Sequence, residues 1–197
     1  GLFVSTSAGG TWTQHPDWSG VDTYSPIIST IAQSPNGDIY VGTGCTFDDA
    51  WPGNGIYKST DGGASFSLLA ATEPANGNST GADWAYVNRI ACDPNNAQRI
   101  YACTNGGVRV SNDAGVTWQN PLYADPACTI SLSTGAGNDV VVDGNGRVYV
   151  AVQGRIYVSD SGDDCTFERI DHPNLPGGAG RIALALAPSD DNYVYGI

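Results

Sequence analysis

The chain of 197 residues has no methionine, two histidines, and only 8 basic side chains against 20 acidic ones. Each shortage excludes something. A net charge of -12 surrounds the molecule with a negative potential that repels phosphate backbones and anionic lipid, so nucleic acid is not an expected partner. No apolar run approaches the roughly 20 residues of a membrane-spanning helix, so no direct membrane insertion is expected. The five cysteines, Cys45, Cys92, Cys103, Cys128 and Cys165, form no CxxC pair and have only two histidines for company, which argues against a zinc site or any other metal centre. Disulfides in a secreted protein fit them better, with at least one thiol left over from an odd count. Because Met is missing altogether, an initiator included, the expectation is that residue 1 is not the translation start and that a signal peptide or upstream domains precede it. No cofactor is implied.

What the sequence has in plenty is glycine, 26 residues, alongside 11 prolines. With 41% hydrophobic residues and charges scattered singly, this composition describes a folded chain of strands and turns under a solvated acidic surface. Much of the glycine belongs to one recurring octet. It reads STSAGGTW from Ser5, STDGGASF from Ser59 and SNDAGVTW from Ser111, with a looser copy, SDSGDDCTF, from Ser159. The unit therefore recurs about every 50 residues, the period of a repeat architecture. Each octet follows a short β-rich run (GLFVS, GIYKS, GVRVS, RIYVS), and before the later three lie two more alternating runs joined by a Pro, Asn, Gly or Asp turn. A fourth run, such as FSLLA or FERI, follows the octet. Four antiparallel strands per period is the anatomy of a β-propeller blade.

Within a blade the octet is the turn between the third and fourth strands. Asp61 and Asp113 are placed to accept hydrogen bonds from the turn's own backbone, Gly63 and Gly115 to take a positive φ, and Ser59 and Ser111 to tie the turn further. Phe66 and Trp118, like Trp12, open the outer strand with a large apolar anchor. Ser7 replaces the aspartate in the first copy, so that turn should be the looser one. The octet thus reads as architecture and not as a catalytic loop.

The pattern Ser-x-Asp-x-Gly-x-Thr-Trp resembles the Asp-box, or bacterial neuraminidase, repeat. Similar repeats occur in sialidases, in propeller glycosidases that cut xyloglucan, in sortilin-like receptors and in bacterial surface proteins. The resemblance covers essentially the whole chain and implies an all-β fold, a propeller of four-stranded antiparallel blades, with the box away from any active site. The chain reads as half a blade, three full blades and another half. The halves are complementary, which admits a closed four-bladed ring; the favoured expectation is that residues 1–197 are one segment of a larger propeller or multidomain protein, completed by its remaining blades or domains.

In such a fold the turns between strands one and two share a face with the octets, and here those turns are uniformly tight. The opposite face carries the long segments 44–54, 14–26, 71–86, 121–137 and 171–180, and long ordered loops on a rigid scaffold are where binding residues sit. They hold Trp18, Tyr24, Phe47, Trp51, Trp84, Tyr86 and Tyr123, with Asp48, Asp49, Asp83 and Asp125 among them. Aromatic rings beside carboxylates suit sugars. Trp51 and Trp84, on adjoining segments of one blade, are the leading pair. Registering the innermost strands on one another puts Thr30, Arg89, Asp139 and Arg181 at one equivalent position at the channel mouth. There they either grip an anionic or hydroxylated ligand or, for Arg89 and Asp139, pair with each other.

A sialidase-like reading needs three arginines, a tyrosine with a carboxylate partner, and an acid. RIA at Arg89 and Arg181 comes near that family's Arg-Ile-Pro signature, but only Glu73 and Glu168 are available. A xyloglucanase-like reading needs two carboxylates roughly 6.5 to 9.5 Å apart for inversion. Asp48 and Asp49 are neighbours and point to opposite sides of an extended chain, so Asp83 with one of them is the better dyad. His15 and His172 lie in Pro-containing loops far from any nucleophile elbow. The leading expectation is a noncatalytic binding or adhesion module of a secreted or cell-surface protein, with a glycan or a protein as its ligand. A glycoside hydrolase completed by other blades is the alternative.

Overall fold

A computed structural model describes residues 1–18, 27–46, 51–74, 83–119, 135–163, 165–171, 173–175, 180–187, 189–190 and 192–197. The chain opens with a hairpin of β1 (Phe3–Val4) and β2 (Thr13–Gln14). A four-stranded sheet follows, with β3 (Ile28–Gln33), β4 (Ile39–Thr43), β5 (Ile56–Ser59) and β6 (Ser67–Leu68) hydrogen-bonded in that order. The next sheet joins β7 (Val87–Asp93), β8 (Asn96–Thr104) and β9 (Gly107–Ser111), and a single bridge from Val110 to Gln119 begins its fourth strand. A third sheet holds β10 (Gly137–Val142), β11 (Val148–Val152), β12 (Arg155–Ser159) and β13 (Glu168–Arg169); a hairpin of β14 (Leu184–Leu186) and β15 (Val194–Gly196) ends the chain. All pairings between successive strands are antiparallel. Among the described residues there is no α-helix, only short 3-10 turns at Pro16–Trp18, Ala70–Thr72 and Asp83–Ala85.

The sheets stack face to face and the core lies between them. Tyr101, Val108 and Val110 of the second full sheet meet Val148, Val150, Tyr157 and Phe167 of the third, all of them buried. Tyr40 and Ile56 of the first meet Val87, Ile90 and Ile100 of the second in the same way. Strand β11, Val148 to Val152, is buried along its whole length, as a strand covered on both faces must be, and its sequence VYVAV is accordingly unbroken by charge. The innermost strands β3, β7, β10 and β14 lie side by side in succession.

The octets close the turns between third and fourth strands as the spacing requires. In the second copy the Ser59 hydroxyl donates to Asp61 Oδ1 at 2.7 Å and accepts the Gly63 amide at 2.9 Å. The other Asp61 oxygen accepts the Ser65 hydroxyl at 2.6 Å, while Oδ1 also takes the amides of Ala64 and Ser65. The third copy repeats this with Ser111, Asp113, Gly115 and Thr117. These donors, the Ser65 and Thr117 hydroxyls foremost, hold both carboxyls below the ordinary aspartate range. In the first copy the single Ser7 hydroxyl takes over both roles, accepting the Thr11 amide at 2.8 Å and meeting the Thr11 hydroxyl at 2.9 Å. Its link back to Ser5 stretches to 3.5 Å, the looser closure expected of a hydroxyl. The fourth copy has Ser161 at the aspartate position, and Ser159 turns to Thr166 instead.

The later three corners also fasten onto the sheet before them. The Ala114 carbonyl accepts the Tyr40 hydroxyl and the Lys58 ammonium, both at 3.4 Å. Arg99 reaches the Ser161 carbonyl at 2.5 Å and the Asp163 carboxylate, and His15 Nε2 donates to the Gly63 carbonyl at 2.9 Å. Gly115 has φ +94°, which is what calls for glycine there, and its open side is filled by the Leu69 side chain, whose Cδ1 would lie 2.6 Å from an added Cβ. The disulfide expectation divides: Cys165 is disulfide-bonded, whereas Cys45, Cys92 and Cys103 form no disulfide, and burial pushes the Cys92 thiol up to about 12. Cys128 lies outside the described residues.

Candidate functional site

The face opposite the octets is built on a row of bulges. Each of the three full inner strands shifts register near its start, between Ile28 and Thr30, Val87 and Arg89, and Gly137 and Asp139. The bulged residues are Ser29, Asn88 and Asn138, polar in every case. The Ser29 hydroxyl donates to the Val87 carbonyl, stitching the first full sheet to the second. Asn88 Nδ2 donates to the Gly137 carbonyl at 2.8 Å, while its Oδ1 accepts the Thr46 hydroxyl at 2.7 Å, so one side chain ties three sheets together. Asn138 Oδ1 is buried and has no hydrogen-bond partner among the described residues. The sequence carries the signal for this row, a polar residue immediately before Thr30, Arg89 and Asp139, but the alternation of strand residues hides it.

One residue further in, the mouth is polar and mostly committed. Thr30 Oγ1 accepts the Ile90 amide at 3.2 Å, and Asp139 Oδ2 accepts the Leu184 amide at 2.8 Å, each crossing to the next sheet. Asp139 Oδ1 takes the Val140 amide and lies 3.3 Å from Arg89 Nε. Arg89 therefore pairs with Asp139, yet half of its side chain stays in solvent. Arg181 does not join them. In every sheet the aligned position lies two residues before the partner of a tyrosine, Ala32 opposite Tyr40, Ala91 opposite Tyr101, Val141 opposite Tyr149 and Ala185 opposite Tyr195. That rule gives Thr30, Arg89, Asp139 and Ala183; the repeated RIA motif is two residues out of register in the last hairpin.

The aromatic pair of the sequence reading separates. Trp51 is exposed, held by a bridge to Cys45 that closes the 44–54 loop at its base. Trp84 instead turns inward and meets Trp118 edge to face at 5.0 Å, because the 3-10 turn Asp83–Ala85 plugs the gap between the first two full sheets. Tyr86 and Trp18 are buried, the latter against Tyr57 and Phe66. Phe47, Asp48 and Asp49, with Tyr24, Tyr123 and Asp125, lie outside the described residues. Asp83 is not a free carboxylate: Arg109 Nε and Nη2 grip its Oδ2 at 2.9 and 2.6 Å, and the Thr104 hydroxyl donates to Oδ1 at 3.1 Å. Among the described residues no three His, Cys, Asp or Glu side chains gather to hold a metal ion.

The stacked sheets, their inner strands side by side, define part of a β-propeller, and comparison with solved structures agrees. An ancestral GH74 enzyme superposes with a TM-score of 0.65 at 19% identity, over 96% of this chain and 25% of that one. PorZ, a surface component of the type-IX secretion system of Porphyromonas gingivalis, gives 0.62 at 19%, over 98% and 27%. The GH74 enzyme of Niastella koreensis gives 0.58 at 25%, over 93% and 28%. The chain thus spans little more than a quarter of the length of these structures, and the likeness is one of fold. No protein-family model and no curated protein sequence matches the chain.

Proposed function

We propose that the chain is a noncatalytic recognition module of a secreted or surface-displayed protein, its octets being Asp boxes that stiffen one side while the other side binds a glycan. The observation that carries this reading is the state of the described carboxylates on the loop-rich side. Asp83 Oδ2 takes two guanidinium N–H groups of Arg109, and Asp139 takes two amides and lies against Arg89, so both carboxylates are engaged in holding the scaffold together. Trp51, by contrast, offers an open indole face, and the outer edge of Arg89 offers donors to sugar hydroxyls or a sugar carboxylate. Similarity to a bacterial surface component supports the surface placement.

Trp51→Ala should abolish retention on a glycan array without moving the thermal midpoint. Retention unchanged in the variant, or binding of a protein and no glycan, counts against it. The second reading, a glycoside hydrolase completed by other blades, draws on the likeness to GH74 enzymes. Release of reducing ends from an oligosaccharide retained on the array would establish it over the first.

A further inference from the structure

Asn88 and Asn138 stand at the same place in successive sheets, each the extra residue of an inner strand, yet only one of them is satisfied. Asn88 Oδ1 accepts the Thr46 hydroxyl at 2.7 Å, and Thr46 belongs to the 44–54 loop, which joins the second and third strands of the preceding sheet. The sheet preceding Asn138 joins the same two strands, β8 and β9, by Asn105 and Gly106 alone. Asn105 corresponds to Gly44, since the amide of each bonds to the residue two before the bulge, Tyr86 and Ile27. The turn therefore closes before a residue equivalent to Thr46 is reached. Asn138 Oδ1 is left with no donor among the described residues, on a residue that is 7% exposed. An unpaired buried acceptor is destabilising, so a chain that keeps one calls for a use of it.

The groups beside it narrow what that use is. Asp139, the next residue, meets Arg89 through Nε, which leaves the two outer nitrogens of that half-exposed guanidinium as unengaged donors among the described residues. An acceptor and a pair of donors thus flank a carboxylate that is already committed. The group that fits them carries a donor and an acceptor side by side. The chain itself shows which donor suits the amide, because it fills the equivalent place at Asn88 with an alcohol. The Arg89–Asp139 pair is electrically neutral within a chain of net charge -12, so an anion gains little there and a neutral group is favoured.

We propose that the seam between the second and third full sheets is a subsite for a vicinal diol of a sugar ring. One hydroxyl donates to Asn138 Oδ1, in the place that Thr46 holds at the preceding seam, and the neighbouring oxygen accepts from Arg89. The terminal torsion of an asparagine is broad, so turning the amide toward the mouth brings Oδ1 within reach of the ligand. This inference rests on the glycan reading and narrows it: neutral ring hydroxyls, not a sugar carboxylate, are what this corner recognises. A site built to hydrogen-bond a hydroxyl also rejects the analogue that lacks it, which apolar contact with a ring does far less well.

The probe is trans-cyclohexane-1,2-diol, a ring of pyranose size with two adjacent hydroxyls, and cyclohexanol is its control. In heteronuclear NMR spectra of the chain the diol should shift the Asn138 side-chain amide and the Arg89 Nε–H saturably, and cyclohexanol should not. Asn138→Leu, close in size, should lose the Arg89 shift and weaken retention on the glycan array by about tenfold, the worth of one hydrogen bond to a buried acceptor. Its thermal midpoint should hold or rise, because an unpaired acceptor has been removed. Arg89→Gln, on a half-exposed side chain, should weaken retention likewise with the fold intact. Equal shifts from cyclohexanol, or an Asn138→Leu chain that binds as the parent does, overturn the subsite and leave the glycan reading standing. A midpoint that falls by several degrees in Asn138→Leu assigns the amide to the scaffold and also overturns it. Diol shifts in a chain that retains no glycan uphold the subsite and refute the glycan reading, so the two fail separately.

Discussion

Two aspartates on opposite sides of the same sheet are held in different ways. Asp113, in an octet, takes the Ser111 and Thr117 hydroxyls and the Thr117 amide, all within four residues of itself. Asp83, on the loop-rich side, takes the Arg109 guanidinium, 26 residues away, and the Thr104 hydroxyl. The first arrangement is a closed local corner that forms wherever the octet is written. The second is a tertiary clamp that exists only once the sheet has brought β9 beneath the 3-10 turn at Asp83. The octet side gains stiffness from repetition. The loop-rich side gains its particular shape from contacts that occur once, and it is the side on which a binding surface can differ from one propeller to the next.

The comparison breaks first at the clamp. Asp83→Asn leaves the Arg109 guanidinium, largely withdrawn from water, facing an amide. Hydrogen bonds to a charged group are worth about 1.5 to 3 kcal/mol, and because a third of Asp83 is solvated the lower end applies. A loss of about 1.5 kcal/mol is expected, or roughly 4 °C in the thermal midpoint. Were Asp83 instead an acid or base, the variant would keep its stability and lose turnover, so calorimetry and a reducing-end assay on one preparation distinguish the two roles.

The octet carboxylate should respond less, and mainly to acid. Its neutral donors favour the ionised form, so the Asp113 carboxyl titrates below the ordinary 3.8 in the folded chain. The stabilisation is present in full above that ordinary value and disappears as pH falls through the lower folded value. Asp113→Asn should cost about 1 kcal/mol at neutral pH, the worth of a lost capping carboxylate that faces solvent. In urea titrations the gap between parent and variant should hold from pH 7 to pH 5 and narrow below pH 4. A gap that widens in acid would mean the carboxyl is held neutral and the hydrogen-bond assignment is wrong.

This difference in range also decides what could be read in advance. The blade order, the half-blades at each end and the octet bonds all follow from residues within four positions of one another or from strand alternation. Trp84 was misplaced because its partner, Trp118, belongs to the next blade's octet, and nothing near Trp84 in the chain signals that an interblade 3-10 turn will aim it inward. Arg181 was misplaced because a tripeptide was aligned where only backbone pairing decides. Ala183 exchanges both amide bonds with Ile197, and Arg181 falls before that ladder begins. The bulges at Ser29, Asn88 and Asn138 were missed because an extra residue in a strand resets the alternation by which inward and outward positions are told apart.

The smallest expected effect tests whether the octet backbone itself is under strain. Its fourth and fifth residues both lie in the left-handed region, as Ala8 and Gly9, Gly62 and Gly63, Ala114 and Gly115. Only the second copy has glycine at both positions. Ala114, at φ 58°, carries a Cβ into a conformation that disfavours it by about 1 kcal/mol, and its carbonyl must stay there to receive Tyr40 and Lys58 of the preceding sheet. Ala114→Gly relieves that strain and gives back part of it as unfolded-chain entropy, so a net gain of about 0.5 kcal/mol is expected. Ala8→Gly in the first octet should give the same gain from the backbone, since Ala8 sits at φ 51°. If Ala114→Gly destabilises instead, the corner is held by the neighbouring sheet and not by its own turn, and the distinction between a local octet side and a tertiary loop side would have to be abandoned.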